Sequence, residues 1–398
     1  MTGEHTRAVH SPEPPRPEQR PLGLPVYRTA AWAFSSSQEY EDLLAGRQAG
    51  YSYTRQENPT TDAFAQAVAA LEGVGLDREV EGQPFASGMA GIATVLLAFT
   101  RAGAHVVVPR EVYGGTYGLL TTVLDRFGVS ASFVDGTDLD AVRAAVRDET
   151  TVLYAETLAN PTMSVADLPG LAEIARAAGV PLVVDSTFAS PAVCRPLEHG
   201  ADVVLHSATK YLGGHSDATG GVAVGSPELR ARVRHDRIDL GGMLSPDEAF
   251  VLHRGLATLP LRVQRQCESA LVVARALAEH PRVVRVDHPG LPDHRDHGLA
   301  TRLFDAGRYG AVVTVTPDGP RSAGAALCDR LRLLTIASSL GGTHSKVSPI
   351  AGTTHRQLSD EALAAAGIGP AAVRVSVGLE DPEDLVADLV QALDALPS

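Results

Sequence analysis

The chain has 398 residues, 44% of them hydrophobic and 20% charged, which is enough to bury a large core in more than one domain. Its formal net charge is −13, so no global basic field attracts nucleic acid or an anionic membrane surface. No apolar run is long enough to span a bilayer, residues 1–20 do not read as a secretory leader, and Cys194, Cys267 and Cys328 lack paired spacing, which fits a reducing cytoplasm and no zinc ribbon.

In chain order, residues 1–24 are rich in proline and charge and read as an extended or disordered arm. A short helix is expected over 38–44. Tyr51-Ser52-Tyr53-Thr54-Arg55-Gln56-Glu57-Asn58-Pro59-Thr60 follows, and the residue before a proline disfavours helix. The next helix is therefore expected to be capped by Thr61 or Asp62 and to run through Leu71. Arg55 could fork onto a phosphate, with a plain surface loop as the alternative. Ser87 is placed to cap a helix to about Phe99, whose small first-turn residues let an anion reach free N–H groups. A strand is expected over 105–108. Tyr113-Gly114-Gly115-Thr116-Tyr117 then opens a helix to about Arg126. Tyr113 falls at the junction, where its ring either stacks on a flat ligand or packs in the core.

Strands over 129–134, 152–155 and 182–184 alternate with helices over 139–146 and 168–178. That alternation predicts a mostly parallel sheet wrapped by helices, with ligands beyond the carboxyl ends of its strands. Glu156 and Asn160 follow one strand end and Asp185 another. Asp185 is either a loop or helix cap, or a carboxylate that keeps a pyridine nitrogen protonated.

The third strand end holds Ser207-Ala208-Thr209-Lys210-Tyr211-Leu212-Gly213-Gly214, after the apolar run 203–205. A lysine fixed past a buried strand is costly unless it is paired or chemically used. Ser207 and Thr209 offer hydroxyls to an anion such as a phosphate. A lysine condensed with an aldehyde, with the aldehyde's phosphate beside it, accounts for all three residues and describes pyridoxal phosphate (PLP). A surface lysine on a strand-end loop is the plain alternative. No G-x-G-x-x-G follows a strand, which disfavours a nicotinamide cofactor.

Beyond this segment a strand is expected over 220–224, and Ser245 caps a helix with Pro246 in its first position. A helix over 261–280 bridges to a second domain beginning near Leu259. Strands over 283–286, 311–315 and 373–377 and helices over 297–304, 322–331 and 382–393 complete the pattern. His288, His294 and His297 share a loop with Asp293 and Asp296, but their spacing matches no metal site, and none is expected. Arg374 faces opposite to Val373 and Val375, either as a fork for a carboxylate or as a surface residue.

Tyr53-Thr54-Arg55 with Asn58-Pro59-Thr60, Ser87-Gly88-Met89, Tyr113-Gly114-Gly115-Thr116, Asn160-Pro161-Thr162, Asp185-Ser186-Thr187-Phe188, Ser207-Ala208-Thr209-Lys210-Tyr211, Leu244-Ser245-Pro246 and Arg374-Val375-Ser376-Val377-Gly378 occur in this order. Together they resemble the Cys/Met-metabolism, or trans-sulfuration, family of PLP enzymes: cystathionine γ-synthase and γ-lyase, methionine γ-lyase and O-acetylhomoserine sulfhydrylase. The resemblance covers residues 25–393. It implies an α/β fold of the aspartate-aminotransferase type (PLP-dependent transferase type I), with a mostly parallel sheet in the large domain and a smaller α/β C-terminal domain. It also implies an N-terminal arm and inter-subunit segment over 1–61, a PLP-binding domain over 62–258 and a small domain over 259–398.

By the same resemblance Lys210 forms the Schiff base, and Gly88, Met89, Ser207 and Thr209 hold the phosphate. Tyr53 and Arg55 reach the phosphate of a neighbouring subunit, which implies a homodimer with shared sites and usually a tetramer. Tyr113 stacks on the ring, Asp185 meets its nitrogen, and Asn160 lies near its hydroxyl. Ser339 and Arg374 bind the substrate carboxylate. The implied activity is cytoplasmic γ-elimination or γ-replacement on a homoserine-derived or sulfur-containing amino acid, by way of an external aldimine and a vinylglycine-type intermediate. Lys210 would move the protons and Tyr113 is a candidate acid. A methionine γ-lyase, a β-eliminating lyase, an aminotransferase or a silent scaffold are the alternatives.

Some positions depart from the family pattern. Ser338 stands where the cystathionine enzymes typically carry glutamate, and His344 also replaces a usual glutamate. Gly118 stands in place of arginine, Gly115 lacks the cysteine of methionine γ-lyases, and Ser186 replaces asparagine. Cofactor chemistry is thus expected to be intact and the distal substrate pocket, including Ser338, altered.

Overall fold

Runs of valine, leucine and alanine too apolar for a one-sided surface form a sheet buried on both faces. The computed structural model describes residues 4–9, 18–305, 307–353, 360, 363 and 367–397. The large sheet comprises β1 (Glu81–Phe85), β2 (His105–Pro109), β3 (Ser130–Val134), β4 (Thr150–Glu156), β5 (Leu182–Asp185), β6 (Val203–Ser207) and β7 (Gly221–Gly225), in the order β1-β7-β6-β5-β4-β2-β3. All pairings from β6 to β3 are parallel, and β7 runs antiparallel to both of its neighbours. The parallel strands share one carboxyl edge, where Glu156, Asp185 and Ser207 end β4, β5 and β6.

The helices up to the long bridging one are α1 (Glu4–Val9), α2 (Ser37–Leu44), α3 (Pro59–Glu72), α4 (Gly88–Phe99), α5 (Gly114–Gly118), α6 (Leu139–Ala145), α7 (Leu168–Ala178), α8 (Pro227–Leu240), α9 (Pro246–Leu256) and α10 (Leu259–Ala278). One face of the sheet, with Val106, Val108, Val183 and Leu205, packs on Ile92, Val95 and Leu96 of α4. The other face, with Val107, Val184 and Val204, packs on Phe64 and Val68 of α3 and on α7, α9 and α10. That second core continues into a smaller sheet of β8 (Val283–Asp287), β9 (Val312–Pro317), β10 (Thr335–Ile336), β11 (Lys346–Pro349) and β12 (Val373–Ser376), ordered β10-β11-β12-β9-β8. Helices α11 (His297–Leu303), α12 (Ser322–Cys328) and α13 (Pro382–Asp394) follow among the described residues. Among the described residues no helix is long and apolar enough to cross a membrane.

Several expectations are corrected. Asn58, not Thr61 or Asp62, caps α3: its Oδ1 accepts from Thr60 N (2.9 Å), and Pro59 takes the first helical turn. A proline there forfeits only an N–H that has no intrahelical partner. Over 1–24, residues 4–9 form a short helix rather than extended chain, and 1–3 and 10–17 lie outside the described residues. From Gly114 the chain stays helical to Phe127, but as α5, a π-helical segment (Leu119–Leu124) and a 3-10 turn. There the Thr121 and Thr122 hydroxyls bond back to the carbonyls of Tyr117 and Gly118, a competition that distorts a helix. The bridging helix begins at Leu259, two residues earlier than its apolar pattern suggests.

Candidate active site

β6 ends at Ser207 and the chain turns at once. Lys210 N donates to Ser207 O (3.1 Å) and Gly214 N to Lys210 O (2.8 Å), which holds the turn on both sides of the lysine. Arg262 of α10 clamps it further, donating to Tyr211 O (3.0 Å) and Gly255 O (2.8 Å). Sequence pattern gave no sign of that role, because Arg262 lies in an amphipathic helix like any other polar residue. Desolvation brings its guanidinium down to about 10.

Lys210 Nζ donates to Ser339 Oγ (2.7 Å). Burial first, then the charges of Arg374 and Lys346, lower this ammonium from 10.5 to about 8. The neutral amine is the form that attacks an aldehyde or accepts a proton, so this environment favours the reactive state. Ser339 holds a left-handed backbone (φ 73°), uncommon for a residue with a side chain. Its carbonyl accepts from Arg374 Nη2 (3.0 Å). Arg374 is only 7% exposed, which removes the surface reading, and burial lowers its pKa. Ser338, beside Ser339, is exposed.

Glu156 and Asp185 are register partners at the ends of adjacent parallel strands. Burial chiefly, and the charge of Asp185, hold Glu156 well above the usual carboxylate range. Burial likewise raises Asp185, although Thr187 hydrogen bonds and nearby His206 offset part of the effect. Asp185 Oδ1 accepts from Thr187 N (2.9 Å), so its cap reading is partly realised. Among the described residues no lysine or arginine pairs with it. Glu156 Oε1 accepts from Tyr113 N (2.7 Å), fixing Tyr113 at its junction. The Tyr113 ring is 49% exposed, so it is not a core tyrosine.

Gly88 opens α4, and a Cβ there would stand 2.7 Å from Ser207 Cβ. Only glycine lets the helix start, with the free N–H groups of Gly88 and Met89, come this close to the end of β6. Thr209 Oγ1 accepts from Gly220 N (3.1 Å), tying the Lys210 turn to β7. Asn160 is buried, and its Oδ1 has no hydrogen-bond partner.

These features fit PLP. Buried carboxylates lacking a cation suit a pyridinium, the glycine cradle suits a phosphate, and the orphaned amide oxygen suits a polar ring substituent. Tyr53 and Arg55 lie elsewhere. Arg55 Nη1 donates to Ile238 O in α8 (2.8 Å), and both side chains are exposed. Arg230 and Arg234 of α8 pair with Glu57 (3.0 and 2.6 Å), which fastens this segment. Among the described residues neither Tyr53 nor Arg55 bonds to Lys210, Ser207 or Thr209. His288, His294 and His297 bond to backbone groups of Gly310, Asp296 and Pro289 and so support their own loop.

L-methionine gamma-lyase of Pseudomonas putida is 40% identical over 397 residues, 99% of this chain and 98% of that protein. Cystathionine gamma-synthase of Mycobacterium tuberculosis is 39% identical over 394 residues, 99% of this chain and 97% of that protein. A solved putative O-acetylhomoserine (thiol)-lyase from Campylobacter jejuni, carrying a pyridoxyl-lysine phosphate, superposes with a TM-score of 0.91. It is 30% identical and covers 95% of this chain and 97% of its own. The model for Cys/Met metabolism PLP-dependent enzymes matches residues 5–394, and the chain belongs to that family as a PLP-dependent enzyme.

Proposed function

We propose that this enzyme catalyses γ-elimination or γ-replacement on a homoserine-derived or sulfur-containing amino acid. The observation that carries the reading is Lys210: a partly buried amine, brought down to about 8, held by Ser339 beside Arg374 at the carboxyl edge of the sheet. PLP, when bound, supplies an electron sink conjugated to the substrate's α-carbon. The rest is work for the chain's own side chains. Arg374, with Ser339, holds the substrate carboxylate and so fixes which bonds face Lys210. Lys210 Nζ takes the α-proton and then moves a β-proton, and Tyr113 gives a proton to the departing γ-group. When PLP is bound, Asp185 would meet its ring nitrogen, Asn160 its hydroxyl, and the α4 start with Gly88, Met89, Ser207 and Thr209 would hold its phosphate.

Tyr53 and Arg55, exposed here, complete the phosphate site of a second copy, which makes the unit a homodimer and the assembly a tetramer. The corresponding division of the chain is an arm (1–61), a cofactor domain (62–258) and a small domain (259–398). Ser338 belongs to the distal pocket.

The test is the visible spectrum of the PLP-supplied protein and of Lys210→Ala, followed by product analysis with O-acetylhomoserine, O-succinylhomoserine, cystathionine and methionine. Expected are an absorbance band lost in the variant and 2-oxobutanoate or a γ-substituted amino acid from the wild type. Pyruvate or transamination products alone would discard the γ-chemistry while keeping the cofactor.

A further inference from the structure

Of the 34 lysines and arginines in the chain, only two are lysines, Lys210 and Lys346. Lys210 holds the cofactor on the proposed reading. Lys346 also reaches the site. It opens β11 and pairs with Ser376, while Ser348 pairs with Arg374, so all four side chains leave one face of the small sheet. Its Nζ donates to Ser216 Oγ (2.8 Å) across the junction between the two sheets. Gly342 keeps this place open, since a Cβ there would stand 2.5 Å from Ser216 Oγ and 3.5 Å from Lys346 Nζ. Among the described residues the ammonium has a hydroxyl partner and no ion pair. Its charge, with that of Arg374, is felt at Lys210.

Among the described residues Lys210, Arg374 and Lys346 form no ion pair, and neighbouring cations repel one another, so the arrangement is sustainable where anions are bound. One anion is the substrate carboxylate at Arg374. Ser338 and His344 supply no carboxylate to receive a distal ammonium. A compact ammonium on a flexible stem, held only by a hydroxyl, can leave Ser216 for a charged ligand at small cost.

We propose that Lys346 determines substrate specificity by binding an anionic group at the far end of the substrate side chain. The preferred substrate then carries its second negative charge on the γ-leaving group. This rests on the proposed function and refines it.

The experiment compares kcat/KM of PLP-loaded wild type, Lys346→Gln and Lys346→Arg on three esters of homoserine: O-succinyl (distal carboxylate), O-phospho (distal phosphate) and O-acetyl (no distal charge). Lys346→Gln should lose about 10- to 100-fold on one or both anionic esters, mainly through KM, and Lys346→Arg should keep most of the activity. The acetyl ester also feels the loss of the Lys346 charge at Lys210, so the readout is a ratio: kcat/KM on the anionic esters relative to the acetyl ester should fall at least about tenfold in Lys346→Gln. The ester that suffers more identifies the anion. Equal losses on all three esters would make Lys346 a second ligand of the α-carboxylate or a structural residue, and no loss on any would remove it from the site; either overturns the proposal.

If no ester turns over in the wild type, the comparison passes to titrating the visible band with 2-aminoadipate and norleucine. Only 2-aminoadipate affinity should then depend on Lys346, and equal dependence overturns the assignment. Failure of the cofactor reading is separate, because wild type would then show no visible band before any substrate is added.

Discussion

Lys210 gives up its proton near pH 8 because burial and the neighbouring charges of Arg374 and Lys346 disfavour its ammonium. On the proposed reading, covalent loading of PLP at Lys210 should therefore accelerate with pH through about 8 and level off above it. Stopped-flow growth of the visible band between about pH 6 and 10 measures this, and a midpoint above about 9.5 would show that the amine behaves as if exposed. The sign for stability follows from the same depression. Between about 8 and 10.5 the unfolded chain holds this proton more tightly, so the group's contribution to stability rises with pH across that window. Asp185 was legible in the sequence because it ends a run of buried apolar residues, and Lys210 because it follows one in a short polar turn. Arg374 was half legible: alternation fixed its face, but not whether that face was wet. Lys346 was not legible, because its importance comes from Ser216 and Arg374, 130 and 28 residues away, and no local periodicity records such pairings.

At the scale of elements, α3 carries an ionisable group at odds with its surroundings. Burial first, then the charge of Glu57, raises Asp62 to about 6 from 3.8. Below about pH 4 the carboxyl is neutral in both folded and unfolded chains; above about 6 it is charged in both, and the folded state bears the unfavourable burial. Asp62→Asn keeps an acceptor for Tyr51 and removes the charge. It should stabilise the protein by about 1–3 kcal/mol at pH 7.5 and give no gain near pH 4, read from denaturant melts at both values.

The elements the sequence concealed have physical reasons. β1 contains Gly82 and Pro84, poor strand formers that an edge strand tolerates, and it is the outer strand of its sheet. α8 is mostly polar, and it buries little beyond Val233 and Arg237. Arg230, Arg234 and Arg237 face the segment around Glu57 and Arg232 covers Ala98 and Phe99, which leaves no apolar stripe to read. By contrast α4, α7 and α9 announced themselves by caps and apolar periodicity, and their starts fell where Ser87, Leu168 and Ser245 indicated.

At the scale of the molecule, the proposed site lies at the junction of two sheets that share one core. Ser339, Arg374 and Lys346 come from the C-terminal part and Lys210, Asp185 and Tyr113 from the large sheet. On the proposed reading, Tyr53 and Arg55 add a third source in a second copy. Mixing Arg55→Ala with Lys210→Ala subunits, each inactive alone, should then restore up to about a quarter of wild-type activity, because mixed dimers carry one intact site of two. Assays after co-refolding or co-expression measure it, and zero recovery with mixed dimers present would place Arg55 outside the shared site.

Concentrating both lysines at this junction also governs how the protein meets its own cofactor in excess. Aldehydes condense with neutral amines, whereas guanidinium groups stay protonated and unreactive at physiological pH. Every other strong cation in the chain is an arginine. The side chains of the exterior are therefore nearly inert toward free pyridoxal phosphate, and the chemoselectivity that other proteins must gain from differences in side-chain amine reactivity is here built into the composition.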